Sequence, residues 1–161
     1  MNYNDVEKLI SDYVIKYQKN LYRLAYSYVK NEHDALDIIQ DSIVKAISSK
    51  NTLKEPQYIK TWFYRIVVNT SLDFIRKQKK VVLSDEQFLS DFDFGTVDQY
   101  KDMDLQKALD DLPDNYRVII VLRYFEDLKI EDVAEILNEN VNTVKTRLYK
   151  ALEKLRIKID Y

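Results

Sequence analysis

The 161-residue chain has 46% hydrophobic residues, a formal net charge of −2 and no cysteine, which excludes disulfides and thiolate metal sites. One Gly and two Pro are too few for the many turns of an all-β fold, so we expect an all-α protein. The apolar runs are too short to span a bilayer, and the N-terminus lacks a secretory signal pattern. We therefore expect a cytoplasmic protein without direct membrane insertion.

Charge is strongly segregated along the chain. Residues 1–80 carry 14 Lys/Arg against 9 Asp/Glu, and residues 81–115 carry 2 against 10. Residues 141–158 carry 6 against 1. The pattern indicates two basic-faced modules joined by an acidic strip, and such local positive charge favours nucleic-acid binding whatever the net charge.

The N-terminal module has the periodicity of three helices. Residues 4–30 form one long helix or two abutting ones, and Asn31 is a good N-cap for the next, with Asp34 three residues on. Pro56 suits the first turn of a third helix, which ends in the basic run 76–80. The second helix is predicted to bury a stripe made of Ala35, Ile38, Ile39, Ser42, Ile43, Ala46 and Ile47.

The helical rhythm fails after residue 80 and resumes at Leu105, and Pro113 then starts a further helix. The intervening segment is acidic and contains the only Gly, as expected of a flexible linker. We therefore predict a helical domain over residues 1–80, an acidic linker over 81–104 and a second helical domain over 105–161.

The last third of the chain has the pattern of a helix-turn-helix, with apolar-periodic segments at 130–137 and 141–155. Ala134, Asn138 and Val144 suit the helix crossing, the positive-φ turn and the apolar anchor of that motif. Asn140 can cap the second helix. On that helix Val144, Leu148, Ala151, Leu152 and Leu155 are predicted to face inward, and Lys145, Thr146, Tyr149 and Lys150 to face outward.

Three motifs in series carry a family resemblance. Residues 34–42 (DALDIIQDS) resemble region 2.2 of the extracytoplasmic-function (ECF) sigma factors of the sigma-70 family, and residues 61–70 (TWFYRIVVNT) resemble their regions 2.3 and 2.4. Residues 112–114 (LPD) and 143–148 (TVKTRL) resemble region 4. The resemblance to this family covers nearly the whole chain.

For the N-terminal domain, the resemblance implies binding to core RNA polymerase, at the coiled coil of the β′ clamp, through Asp37, Gln40 and Asp41. It also implies reading of the −10 element as a melted single strand with a flipped base, for which Asn69 offers both a donor and an acceptor. Trp62 and Phe63 are assigned mainly to the core, and the loop 48–55, with Lys50 and Lys54, to the flipped-base pocket. The implied −10 contacts are Tyr64, Arg65, Asn69, Asp73, Arg76 and Lys77.

For the C-terminal domain, the resemblance implies binding to the β flap of the polymerase and to the −35 element in the major groove. The implied −35 contacts are Arg123, Thr143, Lys145, Thr146, Arg147, Tyr149 and Lys150. Further partners implied are promoter DNA and an anti-sigma factor, possibly membrane-anchored, with a cell-envelope stress regulon. The free protein is expected to be a monomer.

Two positions depart from the family pattern: Leu36 stands where an acid is usual in region 2.2, and Asn138 where the turn usually has Gly. The sequence shows no nucleophile–base pair and no metal-ligand cluster, and the lone His33 suits a surface or capping role. We therefore expect no enzymatic activity, cofactor or metal. The alternative function is an autonomous helix-turn-helix transcriptional regulator; a helical adaptor that binds only protein is a second alternative.

Overall fold

The computed structural model describes residues 3–84 and 100–160, with side chains described over 5–80 and 105–156. The described residues contain helices and no strand, which confirms the predicted all-α class. None of these helices is both long and apolar enough to cross a membrane. The helices are α1 (Tyr3–Val29), α2 (Glu32–Ser48), α3 (Ile59–Ser84), α4 (Tyr100–Asp110), α5 (Asp114–Ile120), α6 (Ile130–Leu137) and α7 (Val141–Asp160).

Helices α1, α2 and α3 pack together as an N-terminal bundle around fully buried side chains such as Leu24, Ile38 and Phe63. Helix α1 consists of two abutting helical segments that meet at a kink at Tyr17, where φ is −114° and ψ is 24°, which is one of the two predicted alternatives. The predicted N-cap of α2 is confirmed, because the Asp34 backbone N–H donates to Asn31 Oδ1 at 2.8 Å. Short 3-10 turns at Lys50–Thr52 and Pro56–Tyr58 then lead into α3. Pro56 was predicted for the first turn of the third helix and instead begins the 3-10 turn that precedes it.

The buried stripe of α2 is narrower than predicted. Ala35, Ile38 and Ala46 are buried with Ile39 and Ser42, but Ile43 is only half-buried and Ile47 is exposed. The prediction that Ile47 faces the core is therefore wrong. Two neighbouring helices cover only one side of α2, so the edge of a wide apolar stripe remains at the surface.

The C-terminal helices α4 to α7 form the second domain. The helix-turn-helix matches the prediction: Asn138 adopts the left-handed conformation at φ 56° and ψ 49°, and the Asn142 N–H donates to Asn140 Oδ1 at 2.8 Å. Ala134 and Val144 are both buried where α6 and α7 meet. An unpredicted π turn, Val121–Phe125, follows α5 directly.

The two domains pack against each other, mainly through α1 and α3 on one side and α5 and α6 on the other. This interface buries two charged side chains, Arg117 and Glu126. Charged groups are rarely buried without partners, so both mark positions where the two domains are fitted to each other by specific hydrogen bonds.

Candidate nucleic-acid interface

Helix α7 presents a basic outer face. Lys145, Thr146 and Lys150 are exposed, and Tyr149 is 68% exposed, whereas Leu148, one residue away, is 4% exposed. The orientation predicted for this helix is confirmed. Because the apolar side is buried against α5 and α6, the basic side is held rigidly toward solvent.

The edge of this face is more constrained. Thr143 and Arg147 are half-buried, and Arg147 Nη1 lies 3.4 Å from Glu139 Oε2 in the turn before α7. Together with Asn142, Tyr116 and other residues they line a shallow cavity beside the helix. Arg147 is therefore anchored by an internal ion pair, while Lys145 and Lys150 remain at the surface.

Arg123 lies in the π turn rather than on α7. Its guanidinium stacks on the Tyr124 ring, 5.3 Å from the centroid, and its Nη1 donates to the Leu128 carbonyl at 3.4 Å. The side chain is half-buried. These contacts fix the arginine against the loop that connects α5 to α6.

Helix α3 presents a second polar face at Arg65 and Asn69, which are both exposed. Asp73, one turn further on, is half-buried and paired with Arg76 at 2.8 Å and with Lys45 of α2 at 3.7 Å. Arg76 and Lys77 are exposed at the basic end of the described helix. The predicted −10 residues thus follow one side of α3, except for Tyr64.

Tyr64 is buried, with 1% of its surface exposed, and its hydroxyl donates to Glu126 Oε1 of the C-terminal domain at 2.8 Å. Burial, the adjacent Tyr13 and the Glu126 carboxylate raise the pKa of Tyr64 far above its ordinary value. Helical periodicity contained this signal, since Tyr64 is in phase with the buried Val67 and Val68. In this arrangement the C-terminal domain covers Tyr64.

Of the two neighbouring aromatic residues predicted mainly for the core, Phe63 is fully buried as expected and Trp62 only partly so. The Trp62 indole N–H donates to Thr52 Oγ1 at 2.8 Å. That bond ties α3 to the loop 48–55. Within the loop, Lys50 pairs with Glu7 of α1, whereas Lys54 is exposed.

The outer side of α2 combines the predicted polar residues with an apolar stripe that was not predicted as a site. Asp37, Gln40 and Asp41 are exposed as expected. Leu36, Val44 and Ile47 are 50%, 64% and 42% exposed. Leu36, Ile43 and Ile47 recur at i, i+7 and i+11, a spacing that places them on one face and could have revealed this surface. The α2 apolar stripe is defined as Leu36, Ile43, Val44 and Ile47.

Within the described ranges, the side chains spaced to hold a metal ion are His33, Asp34 and Asp37, whose ligand atoms lie within 4.8 Å of one another. Two of the three are exposed and the third is half-buried. His33 and Asp37 already form an i, i+4 contact of 3.5 Å. Exposed acidic groups of this kind are ordinary on helix surfaces, and the arrangement agrees with a surface role for His33.

Comparison with known proteins assigns both halves of the chain. Residues 13–81 match the model of Sigma-70 region 2, and residues 102–155 match that of Sigma-70, region 4. The chain is 54% identical to the RNA polymerase sigma factor SigV of Bacillus subtilis (strain 168), over 91% of this chain and 88% of that protein. It is 32% identical to the ECF RNA polymerase sigma factor SigW of the same organism, over 91% and 86%.

Solved structures give the same fold. The sigma factor RpoE, in complex with the anti-sigma factor NepR from Bartonella quintana, superposes with a TM-score of 0.82 at 23% identity, covering 93% of this chain and 96% of that chain. CnrH, in complex with the cytosolic domain of CnrY, gives 0.66 at 22%, covering 94% and 87%. The two matched regions and the similarity to SigV and SigW show that the chain belongs to the ECF sigma factors of the sigma-70 family, which are transcription initiation factors and not enzymes.

Proposed function

We propose that the division of labour follows the two domains: residues 1–80 bind core RNA polymerase and the melted −10 strand, residues 105–161 bind the −35 duplex, and residues 81–104 connect them. The observation that carries this proposal is the exposed basic face of α7, opposite a buried apolar face. A helix-turn-helix of this kind can place its second helix in a major groove.

At the −35 element, Lys145 and Lys150 are suited to phosphates because their charges are exposed and without an ion pair among the described contacts. Thr146 and Tyr149 lie between them on the same face, where a hydroxyl and a ring can meet base edges and thymine methyl groups. Thr143, Arg147 and Arg123 are half-buried and would contact DNA only at the edge of this face.

At the −10 element, Asn69 and Arg65 are the exposed candidates on α3. The Asn69 amide can both donate to and accept from an unstacked base, and Arg65, one turn earlier, can reach the backbone. Asp73 and Arg76 form an ion pair beside them that fixes the end of this face. Tyr64 can take part only after the two domains separate.

At the polymerase, the α2 apolar stripe and the adjacent Asp37, Gln40 and Asp41 form a mixed surface of the kind that binds protein. Exposed contiguous apolar groups on a small domain indicate an interaction site. We assign this surface to the β′ clamp, and the C-terminal domain to the β flap, by analogy with the family.

We further propose cytoplasmic action under an anti-sigma factor, in response to stress. The cytoplasm is where a bacterial polymerase subunit works, and no helix of the described residues could span a membrane. The RpoE structure with the same fold contains an anti-sigma factor. A protein that covers α2 and α3 together would block polymerase and −10 binding at once.

The decisive experiment is run-off transcription on genomic fragments with purified bacterial core polymerase, with and without this protein. Discrete transcripts that require both components are expected, and their start sites would reveal the promoter. Tight duplex binding by the protein alone, without any new transcript, would instead support an autonomous regulator.

The polymerase surface is tested with Ile47→Glu in the α2 apolar stripe. We expect binding to core polymerase to weaken at least about tenfold, because a charge would enter an apolar contact. Ile15→Glu is the matched control, since Ile15 is 67% exposed on α1 and outside the stripe. Equal binding by both variants would remove α2 from the interface.

A further inference from the structure

The domain interface is organised around Glu126, which lies directly after the π turn Val121–Phe125. Its backbone N–H donates to the Val121 carbonyl at 2.9 Å, an i to i−5 bond that ends the helix. Asp127 then turns the chain at φ 55°, and Leu128 returns to the core of its own domain. Glu126 is thereby projected out of the C-terminal domain, yet it is only 2% exposed.

The hydrogen bonds of the Glu126 carboxylate in the described structure all come from the N-terminal domain. Asn20 Nδ2 and the Tyr64 hydroxyl donate to Oε1 at 2.7 and 2.8 Å, and Arg23 Nη1 donates to Oε2 at 3.0 Å. Lys60 Nζ donates to the Glu126 backbone carbonyl at 2.9 Å. A buried carboxylate is costly unless it is satisfied, and here the other domain satisfies it.

A second buried charge, Arg117, makes one hydrogen bond across the same interface, while its Nη1 and Nη2 bond within the C-terminal domain. Arg117 Nε donates to the Ser27 carbonyl at 2.6 Å, and Ser27 belongs to the last turn of α1. Lys30, just after α1, donates to the Asp110 carbonyl at 2.8 Å. Carbonyls in the last helical turn lack intrahelical partners, and cationic donors suit the negative end of the helix dipole.

The interface combines these polar contacts with apolar side chains of both domains that belong to one buried cluster, and the polar contacts are the part that water can satisfy when the interface opens. Water can replace each hydrogen bond to Glu126 when the domains separate, and the half-exposed Arg23 is already in contact with solvent. Polar interfaces between domains behave like transient protein–protein contacts rather than permanent ones. The contacts therefore specify one closed arrangement without making it irreversible.

We propose that Glu126 is a latch that holds the free protein closed and keeps Tyr64 away from DNA, and that it opens when the domains engage their targets. The latch itself rests only on the contacts around Glu126. Its consequence for the −10 strand rests on the proposed function, because that proposal makes Tyr64 a base contact.

The latch is tested by single-molecule energy transfer on the full chain. The protein has no cysteine, so dyes can be placed specifically at Ser11→Cys in α1 and Glu153→Cys in α7, both at exposed positions. The test variants are Glu126→Lys, which faces Arg23 and Lys60 with a like charge, and the milder Glu126→Gln. Glu131→Lys is the matched control, because it makes the same charge change at an exposed position of the same domain.

We expect a compact wild-type protein and a compact Glu131→Lys control. The ratio of closed to open molecules should fall at least about tenfold in Glu126→Lys and by less in Glu126→Gln, since losing one partner of a buried charge network leaves the others unpaired. Circular dichroism checks that each variant is folded. If Glu126→Lys is not folded, the comparison is made with Glu126→Gln alone. An open wild-type protein, or folded Glu126 variants as compact as the control, would overturn the latch.

A second readout separates the latch from the proposed function. Association with core polymerase should be faster for Glu126→Lys than for Glu131→Lys, because the closed state no longer has to open first. If neither Glu126→Lys nor Glu131→Lys binds polymerase, the proposed function is wrong. The energy-transfer measurement still shows whether Glu126 holds the two domains together. If Glu126→Lys opens but associates no faster, opening does not limit engagement and that part of the proposal is wrong.

Discussion

The two helices assigned to DNA, α3 and α7, differ in how much of the predicted contact face is open. On α7, Lys145, Thr146, Tyr149 and Lys150 all face solvent. On α3, Asn69 is exposed but Tyr64 is covered by the C-terminal domain and bonded to Glu126. Under the proposed assignment, the surface for the −35 duplex is therefore fully exposed in this arrangement, whereas the surface for the −10 strand is complete only when the domains separate.

The two domains also differ in how deeply their tyrosine hydroxyls are buried. Tyr13, Tyr28 and Tyr64 are all buried in the N-terminal bundle, and burial raises the pKa of each above its ordinary value near 10. The tyrosine of α7, Tyr149, is exposed. Alkaline pH should therefore act on one domain far more than on the other.

The largest expected effect is loss of stability above about pH 10. Tyrosines ionise near pH 10 in the unfolded chain, whereas the buried tyrosines of the folded bundle stay protonated there. Their contribution to the free energy of unfolding is therefore fully present below about pH 10. Above that pH it falls by about 1.4 kcal/mol per pH unit for each tyrosine. Urea unfolding followed by Trp62 fluorescence at pH 9 to 11 measures it. Tyr28→Phe should reduce the slope by about one such contribution, and Tyr149→Phe should leave it unchanged; equal slopes would contradict the assignment.

The next effect concerns the C-terminal domain. Leu148→Ala removes a buried side chain between α7 and its neighbours and should lower the free energy of unfolding by about 2–5 kcal/mol. Tyr149→Ala, at the adjacent exposed position, should change stability little but weaken −35 binding. Thermal denaturation and duplex binding of both variants check this, and a stability loss of similar size in both would mean that α7 is packed differently.

A smaller effect is expected at the open part of α3. Asn69→Ala should reduce transcription by about 10- to 100-fold through lost base contacts worth roughly 1–3 kcal/mol, with core polymerase binding unchanged. Gln18→Ala on α1 is an exposed amide control. Release of Asn69→Ala from core polymerase would show that this face binds protein rather than DNA.

The smallest effect is expected on α7. Lys145→Ala should weaken −35 binding and reduce the slope of log affinity against log salt by about 1, because one phosphate contact is lost. Binding of a mapped promoter duplex at several salt concentrations measures that slope. Lys129→Ala, an exposed lysine before α6, serves as the control; the same slope in both variants would place Lys145 away from the phosphates.

Much of the fold followed from local chemistry in the sequence. The N-cap at Asn31, the left-handed Asn138, the cap at Asn140 and the inward set on α7 were each predicted from short-range patterns, and the structure confirms them. These features depend on interactions within a few residues, which the sequence displays directly. The predicted linker over 81–104 lies largely outside the described residues.

Other features depended on which surfaces meet. The α2 apolar stripe was partly assigned to the core because periodicity gives the direction of a side chain but not whether a neighbour covers it. Tyr64 was predicted to contact DNA, but it lies beneath the other domain. No pattern in the sequence marked Glu126 as a buried interface residue. Its partners are 62 to 106 residues away in the chain.

The sequence by itself determined the helices, their caps, the helix-turn-helix and the family motifs, because each is written in neighbouring residues or in fixed spacing. Only the tertiary structure decided that the two domains close on each other, that Arg117 and Glu126 become buried charges, and that the Tyr64 hydroxyl bonds to Glu126 of the other domain. The physical reason is that a charge can be buried only where folding supplies hydrogen-bond partners, which are donors for the Glu126 carboxylate and acceptors for the Arg117 guanidinium. No local pattern records which distant groups those will be.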